Sequence, residues 1–366
     1  MRLEELSVTN FKNIPQARLE MSGKVNCFLG NNGMGKSNLL DAIYFLSFCK
    51  SFTGVPDKMA VTRGEEFAIL KASYERKGMP EELLMGLAAG RRKSLKRGGK
   101  EYQRLSTHIG AFPLVMVAPQ DIDLIRDSGE ERRKWLDMVI SQSDPVYLES
   151  LIRYNKGLEQ RNRLLREGCV DHHLYDAVET MMELSAEYIH EARTRRIADL
   201  TERFARHYAS IAGTGEEVSL TYDSHLNEPG ATMRSLMDAS RRRDEILHHT
   251  SVGPHRDDIV MWLDGMPMRR TASQGQCKSF TTALRFAQYD FLREATGMRP
   301  LMLLDDIFDK LDAARVERIM ELVTGSEEFG QIFITDTNRK HLDEITARTG
   351  GDVRMWHVEA GQFSPI

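Results

Sequence analysis

Long apolar runs, clustered cysteines and an excess of either charge are all missing from this sequence. No stretch of about eighteen residues is apolar and uncharged throughout, so no membrane-spanning helix is expected. The opening residues MRLEELSVTNF carry carboxylates where a secretory leader needs an apolar run. The four cysteines, Cys27, Cys49, Cys169 and Cys277, lie far apart and form no C-x-x-C pair. That excludes a disulfide framework or a thiolate zinc site and points to reduced thiols in a cytoplasmic setting. His172-His173 and His248-His249 are adjacent pairs without carboxylates or thiols at ligand spacing, and read as ordinary polar positions rather than metal ligands. A net charge of −4 gives no global sign of a nucleic-acid partner, so only local basic patches can supply one.

What is present is globular material: 41% hydrophobic and 28% charged residues in a chain of 366, long enough for a large domain with a smaller one inserted. Alternation at Leu3, Leu6 and Val8 and at Ala17, Leu19 and Met21 predicts strands, and Val25–Leu29 a buried one. Glycines at 30–35 follow, then Leu39, Leu40, Ile43 and Leu46 at helical spacing. Further strands are predicted at Phe67–Ser73, Leu83–Ala89 and Leu114–Ala118, with Gly98-Gly99 as a hairpin tip. Asp144-Pro145 opens a helical hairpin with a break near Gly168. Beyond it, Val218, Leu220 and Tyr222 and the Asp264-Gly265 turn suggest more strands. Leu301–Leu304 and Gln331–Thr335 then alternate with a helix at Arg315–Val323, the pattern of parallel strands covered by helices.

Gly30-Asn31-Asn32-Gly33-Met34-Gly35-Lys36-Ser37 fits G-x-x-x-x-G-K-[ST] between a predicted strand and a predicted helix, the context this motif requires. Glycines let the backbone turn its N–H groups inward, and the helix start adds more donors, so the loop through Asn38 presents a surface for triphosphate oxygens. Lys36 is placed on the β- and γ-phosphates and Ser37 on Mg²⁺. The apolar run before Asp305-Asp306 sets two carboxylates at a strand tip; Asp305 is expected to hold Mg²⁺ and Asp306 to orient or deprotonate the attacking water. Many ABC ATPases have glutamate at that second position. The shorter aspartate predicts slow hydrolysis.

Ser273-Gln274-Gly275-Gln276, opening a helix about thirty residues before the acidic pair, resembles the S-x-G-Q signature of ABC ATPases. A serine hydroxyl, a glycine and free N–H groups at a helix tip make a second anion site. One chain needs only one γ-phosphate cradle, so the second implies a symmetric dimer with two ATP molecules between subunits. Asp309-Lys310-Leu311-Asp312 resembles the S-x-L-D loop of the same class, with Asp312 as a dimer contact. No histidine follows the Gln331 strand directly, which leaves a γ-phosphate sensor to Thr335 or Asp336. Gln120, in Pro119-Gln120-Asp121, stands at the place of the glutamine loop and is assigned to Mg²⁺ or water.

With Thr9-Asn10-Phe11-Lys12-Asn13, Lys50-Ser51-Phe52, Ala118-Pro119-Gln120-Asp121, Glu131–Asp137, Gln160-Arg161-Asn162 and Gly253–Asp258, these blocks span nearly the whole chain, in order, and resemble the RecF family of bacterial recombination mediators. The resemblance implies an α/β fold: a P-loop ABC-type ATPase head with a mixed sheet, related to SMC heads, plus an inserted, mostly helical lobe. It places Lys12 near the nucleotide. It further implies a weak, DNA-stimulated ATPase that binds gapped or tailed duplex DNA, cooperates with RecR and RecO, and helps load RecA, with roles in replication restart and SOS induction.

The head is expected at residues 1–140 and 246–366, with the helical lobe at 141–245. Arg91, Arg92, Lys93, Lys96, Arg97 and Lys100 form a basic hairpin suited to DNA phosphates, and Arg193, Arg195 and Arg196 a second cluster on the lobe. Taken alone, each patch reads more readily as a solvated face. Two other functions fit parts of the pattern. A transporter's nucleotide-binding subunit predicts a switch histidine, glutamate after Asp305 and little inserted helix, none of which is seen; a nucleotide-gated binding module, in which hydrolysis hardly matters, is compatible with Asp306.

Overall fold

Buried Leu3, Leu6, Val8 and Phe11 set the first strand, β1 (Arg2–Phe11), and a bulge between Leu3 and Glu5 shifts their alternation by one. The computed structural model describes residues 1–213, 215–325 and 328–366. It continues with β2 (Ile14–Glu20), β3 (Val25–Leu29), α1 (Lys36–Phe48), a single turn α2 (Asp57–Ala60), β4 (Phe67–Arg76), β5 (Met79–Ala88), β6 (Ser94–Arg97), β7 (Lys100–Glu101) and β8 (Leu114–Val117). Next come α3 (Asp123–Arg126), α4 (Gly129–Ser141), α5 (Pro145–Arg166), α6 (His172–Ala212), β9 (Val218–Asp223), α7 (Met233–Leu247), β10 (Asp258–Leu263), β11 (Met266–Pro267) and α8 (Met268–Thr271). The chain ends with α9 (Gln274–Thr296), β12 (Leu301–Asp305), α10 (Ala313–Gly325), β13 (Ile332–Asp336), α11 (Arg339–Thr349), β14 (Val353–Glu359) and β15 (Gln362–Pro365). No described helix is long and apolar enough to cross a membrane.

The chain divides into one unit of Met1–Asp121, Ser210–Gly213 and Gln274–Ile366 and another of Ile122–Ala209 and Thr214–Ser273. These divisions lie outside the 140 and 246 expected from sequence. The reason is that α4 and the β9–β11 strands pack with the helices between them: α4 buries Trp135, Leu136, Val139 and Ile140, and its Arg132 makes a two-pronged pair with Asp258 of β10 at 2.7 and 2.8 Å.

The first unit holds two sheets. One is antiparallel in the order β2-β1-β4-β5-β6-β7, and the other runs β15-β14-β3-β13-β12-β8, parallel from β14 to β8 with β15 antiparallel at the edge. β8, β12 and β13 are buried along their whole lengths, as expected of parallel strands covered on both faces. In such a sheet ligands bind beyond the carboxyl ends of the strands.

His108, fully buried in this unit, sets a pH limit. Its Nε2 lies 2.7 Å from the Leu46 carbonyl and donates to it, while Nδ1 has no partner among the described residues. A second proton has nowhere to go, and burial holds the imidazole down to about 4 from 6.5. A histidine kept neutral by the fold stabilises it above pH 6.5 and loses that contribution as pH falls toward 4, on the order of 3 kcal/mol in all. His108→Gln keeps a donor for Leu46 but does not titrate. Denaturant unfolding at pH 7 and pH 5 should show a smaller acid loss in the variant; equal losses would remove His108 as the cause.

The second unit joins a helical hairpin to a three-stranded antiparallel sheet, β11-β10-β9. Asp144 caps α5 by accepting from Tyr147 N at 2.9 Å, with Pro145 in the first turn. Charged residues form much of its interior. Arg193 of α6 donates to Asp137 at 2.9 Å and to Asp257 and the Pro254 carbonyl at 3.1 and 2.7 Å, and Tyr222 donates to the same Asp257. The sequence pattern puts Arg193 on a basic surface with Arg195 and Arg196; at 2% exposure it is instead a core residue, because its acidic partners come from α4 and from the segment before β10. Arg195 is exposed, and Arg196 pairs with Asp199 at 2.9 Å.

Candidate nucleotide site and basic hairpin

The glycine loop leaves the carboxyl end of β3 and enters α1, whose first N–H groups have no partner within the helix. Gly33 and Gly35 take φ of 79° and 113°, where a side chain is strained. At Gly30 a Cβ would run into the Val358 carbonyl of β14, so that glycine is required by a neighbouring strand. Asn13 braces the loop by donating to the Gly33 carbonyl at 3.1 Å, and Asn38 donates to Asn13 at 2.8 Å. From the β14–β15 turn, Gly361 N donates to the Met34 carbonyl at 2.8 Å. Asn31, Asn32 and Gly33 are exposed at the loop's outer rim.

Lys36, 4% exposed, folds back and donates to the carbonyls of Gly30 and Asn31 at 2.6 and 2.9 Å. Beside it, Ser37 Oγ donates to Asp305 Oδ1 at 2.8 Å, and Thr335 Oγ1 donates to the same oxygen at 2.6 Å. Burial pushes the Asp305 carboxyl up, against the pull of those two hydroxyls and Lys36. Asp306 is raised as well, by burial and then by the neighbouring Asp305. Its backbone has φ of 47°, and its N–H donates to Thr335 Oγ1 at 3.1 Å. Thr335 is thus the link between the two aspartates.

Asp336, the other residue weighed as a sensor, accepts from Asn338 N at 2.8 Å and from His341 Nδ1 of α11 at 2.7 Å. The His341 ring packs edge-on against Phe308, with centroids 5.2 Å apart. Sequence reasoning misses this histidine because it looks at the strand end, whereas a helical turn later in the chain brings it back. Lys12 is held 2.7 Å from Asp41 of α1, a buried carboxylate that also takes the Ser51 hydroxyl at 2.8 Å and Phe52 N at 2.6 Å.

Gln120 is exposed on the turn Pro119–Ile122. Its neighbour Asp121 is the fixed group, accepting from Arg285 Nη2 at 2.5 Å and from Ala118 N at 3.0 Å. Gly275 and Gln276 lie in the first turn of α9, and Ser273 is the last residue of the second unit. A Cβ on Gly275 would press on the Arg315 guanidinium, 2.6 Å from Nη1. Asp312 accepts from Arg315 N at 3.0 Å at the start of α10, a helix-capping contact.

The basic hairpin forms as predicted, with Arg97 opposite Lys100 and Lys96 opposite Glu101 across the Gly98-Gly99 turn. Its cations are not alike. Arg97 makes two bonds to Glu81, one at 2.6 Å, and lies 5.5 Å from the Phe112 ring centroid. Lys93 pairs with Asp57 at 2.9 Å over the Phe45 ring. Arg92 donates to the Gln103 carbonyl at 3.2 Å. Arg91, Arg92, Lys96 and Lys100 are exposed.

Residues 1–156 match the family described as AAA ATPase domain. A protein of Parabacteroides distasonis named DNA replication and repair protein RecF is 47% identical over 366 residues, covering 100% of both chains. One of the same name from Porphyromonas gingivalis is 48% identical over 364 residues, covering 99% of this chain and 100% of the relative. A solved structure of the recombination mediator protein RecF with ATP, from the RecFOR pathway, superposes with a TM-score of 0.90 at 27% identity over 100% of this chain and 97% of the other. The Smc head of Pyrococcus furiosus shares the fold, with a TM-score of 0.58 at 17% identity over 100% of this chain and 96% of that one. An α/β head of ABC type carries the glycine loop and the Asp305-Asp306 strand tip, and identity near half over the full length places this chain in the RecF family.

Proposed function

We propose that the protein is a DNA-binding ATPase of recombinational repair, in which ATP held on residues 30–38 of one copy is covered by the Ser273–Gln276 segment of a second copy. The observation that carries this reading is the hydrogen-bond chain from Ser37 through Asp305 and Thr335 to Asp306 at the foot of the glycine loop. On binding, Lys36 exchanges two loop carbonyls for phosphate oxygens, and the N–H groups of residues 33–38 take the remaining charge. Ser37 and Asp305 are hard oxygen donors that suit Mg²⁺, an ion that takes few protein oxygens and completes its shell with phosphate and water. Held by Ser37 and Asp305, Mg²⁺ would neutralise charge on the triphosphate. Asp306, whose carboxylate makes no hydrogen bond among the described residues, orients the water. Gln120 is its partner for water or Mg²⁺, and Lys12 lies at the edge of the nucleotide.

The names of the relatives and the RecFOR description of the solved neighbours support the wider assignment. In it the ATP-bound dimer binds gapped or tailed duplex DNA, works with RecR and RecO to assist RecA loading in the cytoplasm, and serves replication restart and SOS induction. Gel filtration tests the core of it: ATP should convert the wild type from monomer to dimer and leave Lys36→Arg monomeric. An elution position indifferent to ATP would overturn the reading.

DNA binding is assigned to Arg91, Arg92, Lys96 and Lys100 ahead of Lys93 and Arg97, whose charges are already matched by Asp57 and Glu81. Every phosphate that a variant no longer neutralises lowers the slope of log affinity against log salt by about 0.9. Replacing Arg91, Lys96 and Lys100 with glutamine should flatten the slope, whereas Arg97→Gln should leave it nearly unchanged. The opposite ranking would move the DNA-binding surface.

A further inference from the structure

Lys278 is a cation to which the site described so far gives no task. It lies one turn into α9, five residues after Ser273, and its amine donates to the Asp306 carbonyl oxygen at 3.2 Å. That carbonyl also accepts the turn bond from Asp309 N at 3.3 Å. Lys278 is half-buried among Asp121, Asp309, Asp306 and Asp305. Asp121 is occupied by Arg285, and Asp305 by the Ser37 and Thr335 hydroxyls. The charge of Lys278, with that of Lys36, opposes the rise of the Asp305 carboxyl, but the hydrogen bond it makes is with the main chain of Asp306.

That main chain needs holding. At φ of 47° it sits in the left-handed region, which is unfavourable for a residue with a side chain and persists only where neighbours fix it. Two side chains do so from opposite sides: Thr335 of β13 takes the Asp306 N–H, and Lys278 of α9 holds its C=O. With both ends of the residue fixed, the direction of its carboxylate follows from where β13 and α9 lie. Any displacement of the first turns of α9 is passed to Asp306 through a single lysine.

We infer that Lys278 is a positioning residue for ATP hydrolysis, tying the helix that bears Gly275 and Gln276 to the backbone of Asp306 in the same subunit, so that capture of a partner's nucleotide at the helix tip sets the aim of the subunit's own carboxylate. The inference rests on the ATP-dimer reading above. Under it, neither site fires until the other is covered.

The test uses the full chain as wild type, Lys278→Met and Lys278→Arg, with ATP-dependent dimerisation, KM and kcat measured for each, and thermal melts to confirm folding. Lys278→Met should dimerise with ATP and keep KM within about twofold, while kcat falls about tenfold or more, the scale of removing a charge-assisted hydrogen bond. Lys278→Arg should recover most of the rate. An unchanged kcat in the methionine variant would overturn the inference, as would loss of ATP-dependent dimerisation in both folded variants, which would make Lys278 part of the docking surface instead. A wild type that neither dimerises nor turns over ATP is a separate outcome and removes the underlying reading.

Discussion

Replacing Lys36 with alanine is expected to weaken ATP binding about a hundredfold while lowering the melting temperature without nucleotide by less than about 10 °C. The lysine is buried and satisfied by the carbonyls of Gly30 and Asn31. In the complex it gives those bonds up for charge-assisted ones to phosphate, each stronger by about 1.5–3 kcal/mol than none at all. Two such bonds, less the roughly 2 kcal/mol of the two carbonyl bonds given up, leave a net near the roughly 2.7 kcal/mol that a hundredfold change in affinity represents. In the free protein, removing the side chain costs two hydrogen bonds to carbonyls, about 2 kcal/mol, or roughly 4–8 °C for a unit of this size. Calorimetric titration with ATP and a melt in its absence separate the two effects. Near-native affinity would mean that the loop is not the phosphate cradle.

Arg161→Met should cost the second unit about 3–5 kcal/mol, the range for removing one partner from a buried charge cluster. Arg161, Glu179 and Asp244 are all fully buried. The guanidinium donates to Glu179 at 2.8 Å, to Asp244 at 2.7 Å and to the Thr250 hydroxyl at 2.9 Å. Glu179 also receives Arg241 at 2.8 Å, and Asp244 the Ser251 hydroxyl at 2.5 Å. Without Arg161, two carboxylates lose the cation between them in a setting where water cannot replace it. Replacing all three residues together with Met, Leu and Leu should recover part of the loss, because the fully buried charges are then gone and the two arginines that lose Glu179, Arg234 and Arg241, keep Asp176 and Asp238. Denaturant unfolding of both variants distinguishes this from simple loss of packing volume, for which the triple change would be the worse of the two.

The same cluster shows where sequence reasoning stops. Gln160-Arg161-Asn162, Glu131–Asp137 and Gly253–Asp258 stand out in the sequence only as blocks shared with a family. Their physical role is hidden because the partners are distant: Arg161 meets Glu179 18 residues away and Asp244 83 away, and Arg132 meets Asp258 126 away. Arg193 misleads for that reason, since Asp137 and Asp257 lie 56 and 64 residues off and nothing local distinguishes it from Arg195. By contrast, the glycine loop, the strand before Asp305 and the Gly98-Gly99 hairpin depend on neighbours in sequence and are legible there. The final hairpin β14–β15 escapes such reading because β14 buries only Trp356 and Val358, too few positions to show a period. His341 and Lys278 are likewise visible only once helices return them to Asp336 and Asp306.

The central sheet has a consequence for how the protein is made. β3, built from residues 25–29, is flanked by β13 and β14, built from residues 332–336 and 353–359. A ribosome releases the inner strand early and both of its neighbours near the end of synthesis, so an apolar segment waits without its pairing edges while most of the chain is added. Such long-range closure is slow and exposes sticky surface. Nascent chains should therefore depend on chaperone shelter until the last strands emerge, and the nucleotide pocket, whose glycine loop leans on β14, can exist only in the finished molecule.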